Sequence, residues 1–152
     1  MTITVELAGS KELQDLLRGM SKDIEAEVQK AVVQTALDLQ SDVKKSISEG
    51  PASGRTYKKY KPKRTHTASA PGQPPMTDTG RLVNSIEFDT LGKLTATVGS
   101  KLAYAVWLEY GTKTMNFAGG VGGPRPFFRP AVERIRPKFT KNLEAAIERA
   151  TR

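Results

Sequence analysis

The stretch SKDIEAEVQKAVVQTALDLQSDVKKSISEGP, residues 21–51, decides the fold. Ile24, Val28, Ala31, Thr35, Leu39, Val43 and Ile47 recur at spacings of three and four, the period that lines one face of an α-helix. Ser21 is placed to cap its start, and Gly50-Pro51 ends it. At 1.5 Å per residue such a helix is a rod of about 40 Å. Its other face, with Glu25, Lys30, Asp38 and Lys45, is mixed in sign and suits solvent or a polar subunit contact.

Before the rod, TITVEL at 2–7 alternates polar and apolar residues and predicts a half-buried strand. A short helix follows, with Ser10 as its cap and Leu13, Leu16, Leu17 and Met20 on one face. After the rod, residues 50–77 show neither period and include five prolines, so they read as one continuous loop. A structureless connection of that length is unusual inside a compact domain and points to function. Asp78 or Thr79 can cap a short helical turn through Leu82, Val83 and Ile86. EFDTLGKLTATVGS then reads as a hairpin turning at Leu91-Gly92-Lys93. LAYAVWLEYG places Tyr104, Trp107 and Tyr110 on a helix that Gly111 terminates, with these aromatic residues expected in the core. A glycine-rich loop at 112–124 leads to a last helix that starts near Pro130. Its apolar face is Val132, Ile135, Phe139, Leu143, Ile147 and Ala150, with a kink expected at Pro137. The expected architecture is α+β. A small antiparallel sheet packs against a long N-terminal helix and a C-terminal helix in one domain spanning 1–152, with a long extended basic loop.

The 152 residues suffice for one core. An apolar fraction of 38% and a mean hydropathy of -0.44 are polar for a free-standing globule and hint at surface that is ordered against neighbours. With no cysteine, disulfides, thiolate metal sites and cysteine nucleophiles are excluded. The start MTITVELAGS does not resemble a secretory leader, and no apolar run approaches the ~20 residues of a membrane span, so a soluble, unprocessed chain is expected. The net charge of +8 is concentrated. Arg55, Lys58, Lys59, Lys61, Lys63 and Arg64 lie within 50–77 and no acid does, so that segment is where a partner sensitive to charge must bind.

Chemistry-bearing constellations are sparse. His66, the single histidine, has no carboxylate nearby in sequence to orient it as a base. Gly119, Gly120, Gly122 and Gly123 match neither dinucleotide nor P-loop spacing and read as a connector. Glu6, Glu87, Asp89 and Glu109 form no pair with a fixed geometry, so structural or exposed roles are expected for them. No catalytic, cofactor or metal residues are assigned and no enzyme is expected. Tyr57 and Tyr60, set among the loop's six cations, allow two readings: stacking and phosphate contacts in a nucleic-acid-binding module, or anchors docking on an acidic protein surface. The residues alone leave both open.

Three segments in order, THTASAPGQPPMTDTGRLVNSI at 65–86, AYAVWLEYGT at 103–112 and PRPFFRPAVE at 124–133, give the chain its resemblance. It resembles the phage tail-component family typified by the tenth gene product of phage Hong Kong 97. The resemblance implies a non-enzymatic structural protein of the virion, a neck or tail-completion subunit made in the host cytoplasm. It would form a homo-oligomeric ring between the capsid connector and the tail, touching both, with transient contact to genome DNA and none to a membrane. Pro126, Phe127, Phe128 and Pro130 would pin the entry to the last helix with two buried rings. KTMNFAGGVGG at 113–123 departs from the family's pattern in length and glycine content.

Overall fold

The computed structural model describes residues 3–8, 22–112 and 123–151. In chain order these form β1 (Ile3–Ala8), α1 (Lys22–Ser48), β2 (Thr56–Tyr60), β3 (Lys63–Thr67), α2 (Arg81–Asn84), β4 (Ile86–Gly92), β5 (Thr95–Ser100), α3 (Ala103–Tyr110) and α4 (Arg129–Thr151). The architecture is α+β, as expected. The short helix expected over Ser10–Met20, the Ser21 cap and the stretch 113–122 lie outside the described residues.

All seven residues of the α1 apolar stripe are buried. Asp23 and Glu25 in its first turn and Lys45 in its last complement the helix dipole. The one polar member of the stripe, Thr35, is satisfied by donating its hydroxyl to the carbonyl of Ala31 at 2.7 Å. Beneath the stripe lies an antiparallel sheet ordered β1-β5-β4, in which Val98 pairs with Val5 on one side and Phe88 on the other. Ile86, Ala96 and Val98 are fully buried in the same apolar cluster as α1. The β4–β5 turn falls at Lys93-Leu94, slightly later than expected, after an irregularity between Thr90 and Gly92.

On its other side α1 meets α4 in an antiparallel pair whose register is written in charge. Arg134 bonds Asp42 (2.7 Å), Lys138 reaches Asp38 (3.5 Å) and Arg149 reaches Glu27 (3.2 Å). Each step backward along α1 is matched by an equal step forward along α4, so a slip would break all three pairs together. Each pair is exposed and worth little alone; its role is to select one register, while buried Ala131, Ile135 and Ala146 supply the packing. α4 runs on through Pro137, which is exposed.

The start of α4 is fixed from a distance. Glu109 on α3 is 2% exposed. Its Oε2 accepts the backbone N–H groups of Phe127 (2.8 Å) and Phe128 (2.9 Å), and its Oε1 accepts that of Arg129 (2.9 Å). A carboxylate on the orphan N–H groups at a helix start is a cap supplied in trans, favoured by both hydrogen bonding and the dipole. Phe127 and Phe128 are buried, as expected, with ring centroids 5.0 Å apart.

Three expectations are corrected. Residues 50–77 are not one structureless loop: β2 and β3 pair within them as a hairpin. Neither Asp78 nor Thr79 caps α2, whose N-cap is Gly80 at φ 76 with no side-chain bond. Trp107 and Tyr110 are 53% and 61% exposed, not core; α3 turns Ala105 and Glu109 inward and leaves Tyr104 half-buried.

Replacing Glu109 by Ala strands three backbone donors, each costing on the order of 1 kcal/mol or more, so about 3 kcal/mol of stability should be lost. Urea unfolding should register that loss, with Glu109→Gln losing less because its amide oxygen still accepts. An unfolding midpoint unchanged by Glu109→Ala would contradict the assignment.

Candidate functional site

The cations singled out by sequence sit on a two-stranded arm. β2 and β3 pair in the register Thr56↔Thr67, Tyr57↔His66, Lys58↔Thr65, Lys59↔Arg64 and Tyr60↔Lys63, with Lys61 and Pro62 in the turn. Because side chains alternate along a strand, this register divides the arm into two faces. One carries Tyr57, Lys59, Arg64 and His66; the other carries Lys58, Tyr60, Lys63 and Thr65.

The first face is held down by one acid. Asp78 Oδ2 accepts a short hydrogen bond from Lys59, and Arg64 Nη2 lies 2.6 Å from Oδ1, close but outside hydrogen-bonding alignment. Arg64 also donates to the Asp78 carbonyl at 3.0 Å, and His66 Nδ1 is 3.8 Å from Oδ1. The hydrogen bond from Lys59 draws the Asp78 carboxyl below its usual value; burial opposes this, and the charges of His66, Arg64 and Lys59 add to the lowering. His66 thus has a carboxylate beside it after all, as part of the arm's footing. Arg55 stands over the Tyr57 ring at 5.5 Å.

The arm's base is tied to the body by backbone bonds. Gly54 donates to Ala68 (2.7 Å) and Ala68 to Arg55 (3.0 Å), continuing the ladder below the strands. A side chain at Gly54 would meet the Ser69 carbonyl at 2.5 Å, so only glycine lets the two segments approach so closely. Thr77 donates to Ile47 at the end of α1 (3.0 Å), and Gly72 to Pro124 (2.8 Å). Arg125 bonds the Ser69 carbonyl through Nε and Nη2 at 3.2 and 3.1 Å, while its own N–H reaches Leu108 on α3. Between base and body lies a mostly apolar cleft of about 280 Å³, lined by Ile47, Tyr57, Leu82, Tyr104 and Leu108 among others.

The second face is differently placed. Lys58, Lys61 and Lys63 are exposed and make no ion pair among the described residues, and Tyr60 is 80% exposed. Of the eight arm candidates, Lys59 and Arg64 are thus engaged within the chain, and Tyr57 lies under Arg55. Of the motif candidates, Phe127 and Phe128 are buried, and Pro126 and Pro130 flank the segment that Glu109 caps. Gly111 closes α3 at φ 74, and Tyr110 carries Arg129 over its ring at 5.6 Å. Sequence reasoning missed Asp78 and Glu109 as organisers; each lies inside a motif segment, but its partners are far away in the chain. Among the described residues there is no cluster of three or more His, Cys, Asp or Glu able to hold a metal, and no helix long and apolar enough to cross a membrane.

What these elements define is a helix-and-sheet mount that carries a cationic arm. Residues 11–111 match the family model described as "Bacteriophage HK97-gp10, putative tail-component", and the chain belongs to that HK97-gp10-like family. It is a family of phage structural tail components, not of enzymes. No curated protein and no solved structure matches the chain.

Because the Asp78 carboxyl is lowered in the folded state, the tie it makes is complete above its ordinary value of 3.8 and is lost as pH falls through the depressed one. Loss of the tie should therefore show in the Lys59 and Arg64 amide resonances only below about pH 4. Asp78→Asn should give the loosened pattern already at neutral pH. Identical arm spectra in the two proteins at neutral pH would refute the footing.

Proposed function

We propose that the protein is a neck or tail-completion subunit that assembles as a homo-oligomeric ring between the capsid connector and the tail, with the β2–β3 arm meeting a neighbouring protein. Family membership supports a virion protein. The observation that carries the finer reading is the division of the arm: its inner cations are engaged by Asp78, so its outer face keeps Lys58, Lys63 and the Tyr60 ring, and its turn Lys61, for a partner. Tyrosine is among the residues that most often anchor a protein interface. A two-stranded ribbon is also marginal by itself in water, and contact with a neighbour would stabilise it.

The nucleic-acid reading fares less well on the same geometry. Binding there would need the cations and rings together, yet Lys59 and Arg64 face inward and Tyr57 is stacked under Arg55. Three outward lysines suit brief contact with passing genome DNA, not tight binding.

Reversing the outer charge with Lys58→Glu, Lys61→Glu and Lys63→Glu tests the proposal without touching the Asp78 tie. The midpoint of thermal unfolding should move by no more than about 2 °C, since exposed substitutions cost little. Electron microscopy of lysates from a phage carrying the triple variant should show filled heads and tails unjoined. Normal yields of joined particles would defeat the proposal.

A further inference from the structure

The β1-β5-β4 sheet has two unlike faces. Ile86, Ala96, Val98 and Ser100 are buried on the side where α1 and α2 pack. On the other side β4 presents Glu87 and Asp89, both exposed, with Leu91 beyond them at 63% exposure. The register puts Asp89 opposite Thr97 and Glu87 opposite Gly99; Thr97 is itself buried, so what this face exposes among the described residues is its β4 edge, with the two acids. A shallow depression of about 230 Å³ lies there. Glu87 pairs with Lys101 at 2.7 Å, but that pair is exposed on both sides and exchanges at little cost. Asp89 accepts only its neighbour Thr90's N–H (2.8 Å) and has no ion pair among the described residues.

We propose that the arm of one copy docks on the exposed β4 edge of this sheet face of the next copy, bringing Lys58, Lys61 and Lys63 onto Glu87 and Asp89. The inference rests on the ring reading above and names the surface that receives the arm. Charge decides the pairing: two arms facing each other would set lysines against lysines, whereas the sheet face offers carboxylates. Spacing agrees. Lys58 and Lys63 are diagonal neighbours across the hairpin, roughly 7–8 Å apart. Glu87 and Asp89, two residues apart on one strand, are separated by about 7 Å. Arm and sheet face are different patches of one chain, so the contact is head-to-tail, the kind that closes into rings.

The absence of cysteine makes the test direct. Thr65→Cys, on the outer face of the arm, is prepared in one protein and Leu91→Cys in a second; both leave the charged residues intact. Mixed under mild oxidation, they should form a mixed disulfide dimer. A parallel mixture replaces the second protein with Ala103→Cys, on the exposed face of α3. The Leu91 partner should be preferred roughly tenfold, the factor expected of two or three exposed ion pairs. Adding Lys58→Glu, Lys61→Glu and Lys63→Glu to the arm protein should abolish the preference, and adding Glu87→Lys and Asp89→Lys to its partner should restore it. Equal yields, or a preference for the Ala103 partner, would overturn the docking face. Loss of head-to-tail joining in the triple variant without the Leu91 preference would leave the neck reading standing and reject only this surface. The preference with joining intact would do the opposite.

Discussion

The rest of the structure depends on the Glu109 carboxylate. Its three backbone bonds fix where α4 begins, and a helix whose start is fixed can lie along α1 in only one register, the one the three ion pairs select. The same bonds hold the chain just before α4, where Pro124 and Arg125 tie down the base of the arm through Gly72 and Ser69. One acid thereby sets the position of a helix on one side and of the arm on the other. This accounts physically for two of the family-like segments: AYAVWLEYGT supplies the acceptor and PRPFFRPAVE the donors. Burying a carboxylate is expensive unless it is fully hydrogen-bonded, and the three bonds meet that condition.

Asp78 repeats the device at lower cost. It is partly exposed, and it gathers Lys59, Arg64 and His66 onto one face of a ribbon that has almost no apolar side chain of its own. An arm built on hydrophobic packing would have to hide its rings. An arm built on one acid can keep the Tyr60 ring outside. The architecture therefore separates two jobs: the helices and sheet supply rigidity, and the arm supplies a charged surface whose outer cations have no partner among the described residues.

How much of this was legible in the sequence follows from where the signals are local. α1 could be read to within a residue or two because 27 residues repeat one apolar period against one packed face. The β4–β5 hairpin and the last helix were readable for the same reason. The arm was not: TYKKY and KRTHT alternate between two polar faces, so a strand period exists in contacts but not in hydropathy. α3 misled in another way. In AYAVWLEY nearly every residue is apolar, which hides the inward direction, and the side that is buried is the one holding the acid that α4 needs. Asp78 and Glu109 lie 12 to 20 residues from the groups they organise, beyond the reach of any local pattern. The family resemblance marked the right segments without saying which atoms in them mattered.

The most direct measurement of the central claim, that a rigid body presents its arm to the next copy in the particle, is a cryo-electron microscopy reconstruction of the intact head-to-tail junction. It should place this chain in a closed ring there, with α1 and α4 in the same antiparallel register and each β2–β3 arm extended from its own body onto a neighbouring subunit. A junction without the chain, or one in which every arm points into solvent and touches no neighbour, would contradict the account.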